Sequence, residues 1–99
     1  MKTQLHISYL GLVRNVIGRS EENLDVLAGT TVGQLLRLLA DKHGPPFRQS
    51  VLKQSGDLRA TAQVCVEDRD IDELNGFDTQ LGEGEQVSIV VGVYPPAGG

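Results

Sequence analysis

The sequence predicts one α+β domain: a sheet, a single main helix packed on it, and a short tail behind. Three observations carry this. Apolar and polar residues alternate in four separate stretches, the period of a half-buried strand. One stretch, from Val32 to Lys42, repeats its apolar residues at helical spacing instead. The last residues, Pro95-Pro96-Ala97-Gly98-Gly99, fit neither period.

Between Gln4 and Leu10, Leu5, Ile7 and Tyr9 fall on one side and Gln4, His6 and Ser8 on the other, so a first strand is expected. Leu12 to Ile17, set between Gly11 and Gly18, is too short and mixed to assign. Glu22 to Leu27 alternates again with Leu24 and Val26 inward, which gives a hairpin-like pair. Ala28, Gly29 and Thr30 form a turn, and Thr31 followed by Gln34 is a capping-box pattern. The helix therefore begins near Val32. Val32, Leu35, Leu36, Leu39 and Ala40 form its apolar stripe, while Gln34, Arg37, Asp41 and Lys42 point away. Gly44, Pro45 and Pro46 end the run. Phe47 to Arg59 is polar apart from Phe47, Val51, Leu52 and Leu58 and reads as a long irregular connection.

Ala62 to Glu67 alternates as a strand, and the acidic stretch Asp68 to Asp72 makes a turn. Leu74, Phe77 and Leu81 punctuate a turn-rich segment. Gln86 to Val93, with Val87, Ile89, Val91 and Val93 on one face, is the clearest strand of all. The domain is thus expected to span 1–94 and the tail 95–99.

Composition narrows the function classes. A chain of 99 residues, 39% apolar, builds one core and no second domain, and a deep catalytic cleft is hard to enclose at this size. No catalytic residue is assigned. Thirteen acidic against nine basic residues give a net charge of -4, with no run of lysines or arginines, so nucleic acid is not an expected partner and a basic or mixed protein is. The single cysteine, Cys65, excludes an internal disulfide and a multi-cysteine metal site and fits a reducing compartment, so the cytoplasm is expected. No apolar run reaches secretory or membrane-spanning length, so neither export nor a membrane partner is expected.

The tail has its own chemistry. Pro95 and Pro96 cannot donate ladder hydrogen bonds, so the last strand stops there and the chain leaves the sheet as a short extended stalk. Ala97, Gly98 and Gly99 are small enough to thread a narrow channel in a partner. A carboxylate is a poor acyl donor, but a partner that binds ATP could convert it to an acyl-adenylate, from which a sulfur or amine nucleophile displaces AMP. An end without side chains leaves that carbonyl open to attack.

Three pieces together resemble the MoaD/ThiS family of ubiquitin-like sulfur carriers. They are the helix entry Thr30-Thr31-Val32-Gly33-Gln34-Leu35-Leu36, the segment Phe77-Asp78-Thr79-Gln80-Leu81 with Gly84-Glu85-Gln86-Val87-Ser88-Ile89, and the ending Tyr94-Pro95-Pro96-Ala97-Gly98-Gly99. The resemblance covers nearly the whole chain and implies a ubiquitin-like β-grasp fold. It implies that an E1-like enzyme, using ATP, adenylates the Gly99 carboxylate and that a sulfur donor then yields a C-terminal thiocarboxylate. The chain itself binds no cofactor and catalyses nothing. In the molybdenum-cofactor branch such a carrier is the small subunit of molybdopterin synthase, its tail inserted into the large subunit. Other branches serve cysteine, thiamine or tRNA thiolation, and some members are conjugated to lysines as ubiquitin is. The long Gly44–Arg59 stretch resembles the cysteine-biosynthesis and archaeal modifier types, the Ala97-Gly98-Gly99 ending the molybdopterin branch. Glu67 stands where the family often has Asn.

Other residues invite other readings. Cys65 could be a relay thiol, but nothing near it in sequence lowers its pKa and packing is the expected role. His6 and His43 are far apart, and His43 at a helix end suits the helix dipole better than a metal. Glu67, Asp68, Asp70, Asp72 and Glu73 lack the spacing of a calcium loop and read as a solvated turn, so no metal site is expected. On the outer sheet face Cys65 and Val90 break the polar alternation and Leu10 joins them. They mark either a docking patch for an activating enzyme or synthase subunit, or a face partly covered by the long connection. Three classes stay open: sulfur carrier, lysine-conjugated modifier, and an interaction module whose tail is incidental.

Overall fold

The computed structural model describes residues 1–92. Val93, the expected boundary at 94 and the 95–99 tail lie outside them. Five strands form one mixed sheet: β1 (Lys2–Gly11), β2 (Glu21–Leu27), β3 (Ala62–Val66), β4 (Arg69–Asp70) and β5 (Gln86–Val91), in the order β2-β1-β5-β3-β4. β1 and β2 make the antiparallel pair expected from the alternation, with Leu5 opposite Leu24 and Thr3 opposite Val26. β5 then runs parallel to β1, placing Ile7 beside Val87 and Tyr9 beside Ile89, and β3 flanks β5 antiparallel, with Val64 opposite Ile89. A period of two puts all these side chains on one face, where all but the half-buried Leu24 are buried.

That face is covered by α1 (Leu12–Ile17), α2 (Val32–His43) and α3 (Pro45–Val51). α2 begins as the sequence predicts. The Gln34 N–H donates to Thr31 Oγ1 at 3.2 Å and the Thr31 N–H to Gln34 Oε1 at 3.0 Å, so two of the unpaired donors of the first turn are satisfied reciprocally. Val32, Leu35, Leu36, Leu39 and Ala40 are its buried residues. Each leucine contributes about 1.5–3 kcal/mol by leaving water. The fold is the β-grasp that the family resemblance implies, a mixed sheet curled around one main helix.

Three segments differ from expectation. Leu12 to Ile17, unassigned from sequence, is a single helical turn and a half, closed by Gly18 in the left-handed region at φ 83°. It has one fully buried residue, Val13, too few to show a period. Pro45 and Pro46 do follow the end of α2, but they also open α3. Proline suits the first turn of a helix because its missing N–H has no intrahelical acceptor there. Phe47 and Val51, four apart, are both fully buried, so the supposed connection adds a helix to the core. A bridge between Leu52 and Leu58 closes the remainder. The turn is not Asp68 to Asp72 as expected but the two-residue hairpin loop Glu67-Asp68, at φ 49° and 69°; Arg69–Asp70 pairs with β3 as β4, and Ile71–Glu73 is a 3-10 turn that buries Ile71. Asn is favoured at such left-handed positions, and Glu67 stands there with its carboxylate accepting from the Gln86 N–H at 2.6 Å. No described helix is long and apolar enough to cross a membrane.

Candidate functional site

The strand that leads into the C-terminus is held on both edges. β5 lies in the middle of the sheet between β1 and β3, and its last residue, Val91, pairs with Gly11 and Ala62. Gly11 has φ +75°, and a Cβ there would lie 2.1 Å from the Val91 carbonyl oxygen, so the approach requires glycine. One residue on, the Gly92 N–H donates to the Thr61 carbonyl at 2.9 Å. Leu12 and Val16 of α1 border a shallow groove with Thr61 and Gly92 at this exit. Pro95, Pro96, Ala97, Gly98 and Gly99 continue the chain beyond the described residues.

The start of β5 is fixed by the two internal motif pieces, which meet in space. Thr31 bridges Gln80; the Val32 N–H donates to the Thr79 carbonyl and the Leu81 N–H to the Thr30 carbonyl, both at 2.9 Å. Gly33 lies against Phe77, where a Cβ would come within 3.1 Å of the Phe77 Cβ. The helix entry and the 77–81 segment thus form one unit that delivers the chain to β5, although 40 residues of sequence separate Leu36 from Phe77.

Leu10, Val90 and Cys65 do share the outer sheet face. Leu10 and Val90 are register partners, and Cys65 pairs with Ser88 on the far side of β5. Leu10 is 45% exposed and the other two are half-buried. The long connection does not cover them, because Phe47 and Val51 send it into the core with α1 and α2 on the opposite face. Burial, and then the charges of Asp70, Asp68 and Glu73, push the Cys65 thiol up, away from the thiolate a relay would need. His6 meets Asn23 Oδ1 at 2.5 Å. Among the described residues no group of three or more His, Cys, Asp or Glu is placed to hold a metal ion.

A buried polar cluster escaped the sequence reading. Glu22, 8% exposed, takes the Tyr9 hydroxyl at 2.5 Å and His43 Nε2 at 2.7 Å on Oε1, and Lys42 Nζ at 2.7 Å on Oε2, with Arg19 at 3.4 Å. Burial alone would raise the carboxyl pKa; the hydrogen bonds from Lys42, Tyr9 and His43 outweigh it and lower the value to about 2. Burial, and then Glu22 itself, push the Tyr9 phenol well above the usual tyrosine range. His43 therefore answers a carboxylate as well as a helix end. The clue was present: Glu22 shares the inward phase of Leu24 and Val26.

Residues 7–99 match the model of the ThiS family. Small archaeal modifier protein 3 of Haloferax volcanii is 30% identical over 97% of this chain and 98% of its own length. A protein of Archaeoglobus fulgidus described as a sulfur carrier is 33% identical over 61% of this chain and 67% of its own. Among solved structures, small archaeal modifier protein 1 of H. volcanii superposes with a TM-score of 0.79 at 19% identity, covering 92% of this chain and 99% of that one. A Pyrococcus furiosus protein described as molybdopterin converting factor subunit 1 superposes with a TM-score of 0.74 at 22% identity, covering 92% of this chain and 99% of that one.

Proposed function

The chain belongs to the ThiS family of small non-catalytic sulfur carriers and ubiquitin-like modifiers, and from that premise we propose that its working group is the Gly99 carboxylate. An E1-like enzyme binds ATP and the tail. A carboxylate oxygen attacks the α-phosphorus, pyrophosphate leaves, and the acyl-adenylate forms. Sulfide or its equivalent from a sulfur donor then attacks the carbonyl carbon; the C–S bond forms as the bond to AMP breaks, leaving a thiocarboxylate. The observation that carries this reading is the family match running to the diglycine end from a strand held on both edges. Gly98, Ala97, Pro96 and Pro95 thread the partner's channel, and Leu10, Val90 and Cys65 form the face that docks beside it. The reaction is assigned to the cytoplasm on the single Cys65, which fits a reducing compartment.

For the acceptor, we favour molybdopterin synthesis, with this chain as the small synthase subunit, on the ending Ala97-Gly98-Gly99 behind two prolines. Removing the gene is then expected to abolish molybdenum-enzyme activity while growth without added thiamine or cysteine continues; the reverse pattern reassigns the pathway to thiamine, cysteine or, with undermodified tRNA, to thiolation. The activation step is tested separately: with its activating enzyme the full chain supports exchange of labelled pyrophosphate into ATP, and a chain lacking Gly98 and Gly99 does not. A second reading, a modifier joined through Gly99 to target lysines, draws on the 30% identity to an archaeal modifier over 97% of this chain. Tryptic peptides in which a target lysine carries the fragment 70–99 in isopeptide linkage through Gly99, Arg69 being the last basic residue of the chain, would establish it.

A further inference from the structure

On the helical side of the molecule lies a surface that the tail chemistry does not use. Two adjoining hollows share Ala40, Asp41, Arg48 and Leu52 and so make one continuous groove along α2, α3 and the turn that follows. The half-buried Phe77 gives it an apolar wall, with Leu36 and Leu52 buried beneath. Arg37, Arg48, Lys53 and Arg59 line it, against two carboxylates, Asp41 and Asp78. These are four of the nine lysines and arginines in a chain of net charge -4, and all four are exposed. Every ion pair among the described residues ends on Glu22, so the fold neutralises none of the four. In sequence they stand 5 to 11 residues apart and form no run; folding gathers them.

Four cations against two carboxylates leave the groove with an excess of positive charge, which an anionic partner offsets. We propose that this groove docks an acidic protein segment with an apolar residue at its centre. The apolar side chain rests against Phe77, and the flanking carboxylates meet Arg37, Arg48, Lys53 and Arg59. The apolar wall and the net negative charge of the rest of the chain select against nucleic acid, whose phosphates need an extended positive field. The groove faces away from Leu10 and Val90, so a segment bound there leaves the outer sheet face free for another partner.

The test is an amide chemical-shift titration of the full chain with a synthetic peptide, Asp-Glu-Asp-Leu-Glu-Asp-Glu, blocked at both ends. Shifts are expected at residues 33–41, 48–59 and 76–78. Affinity falls about tenfold between roughly 50 and 500 mM salt, as screening of several contacts requires. Exchanging the central Leu for Ser weakens binding about fivefold, and the double variants R48E/K53E and R37E/K53E each weaken it at least about tenfold. Both variants alter exposed side chains and keep the circular dichroism of the parent and its pyrophosphate exchange at Gly99. Four results overturn the proposal: shifts on the outer sheet face instead, equal binding by a peptide with Lys at every acidic position, unchanged binding by either double variant, or tighter binding by a single-stranded oligonucleotide of equal charge.

Discussion

Glu22 shows how one residue ties the fold to pH. Its carboxyl titrates at about 2 in the folded chain against an ordinary 4.5, so the stabilisation is complete above about 4.5 and is lost as pH falls toward 2. A shift of that size corresponds to about 3 kcal/mol. Glu22→Gln is expected to lower stability at pH 7 by about 2–3 kcal/mol, since Tyr9, His43 and Lys42 lose a charged acceptor. It should also flatten the fall of the thermal midpoint between pH 4.5 and 2, read by circular dichroism melts across that range. At Gly11 the constraint is steric. Gly11→Ala adds a Cβ 2.1 Å from the Val91 oxygen at a positive φ, and urea unfolding is expected to show a loss above about 3 kcal/mol, with faster amide exchange at Gly92. Glu22 could be placed inward from its phase in the strand. Its partners could not be identified, because Lys42 and His43 lie on a helix whose end meets β2 only after folding.

At the scale of elements, legibility followed length and period. α2 and the four longer strands carry enough repeats to reveal their inward faces, and their cores are the residues the alternation picks out. α1 and α3 hold six and seven residues, fewer than two full turns, so no periodic signal accumulates. Pro45 and Pro46 mislead further, because the residues that stop one helix are equally good at starting the next. The capping box of α2 was legible and has a cost that can be measured. Thr31→Ala removes the acceptor for the Gln34 N–H and is expected to lose about 1 kcal/mol in urea unfolding, with no change in the slope. The same residue bridges Gln80, so hydrogen exchange should rise at Val32 and Leu81 as well as in the first turn of α2.

The whole molecule presents two surfaces for which partners are proposed. The sheet carries Leu10, Val90 and Cys65 on its outer face and delivers the C-terminus from its central strand; the helical side carries the cationic groove. The patch residues were legible because they break the polar alternation of their strands. The groove was not, since Arg37, Arg48, Lys53 and Arg59 belong to three separate segments. The central claim concerns Gly99. Incubated with its activating enzyme, ATP and sulfide, the full chain is expected to gain about 16 Da by exchange of one carboxylate oxygen for sulfur, read by intact-mass spectrometry. A chain lacking Gly99 gains nothing under the same conditions. An unchanged mass for the full chain, or the same gain without Gly99, would contradict the assignment of the C-terminal glycine as the sulfur-carrying group.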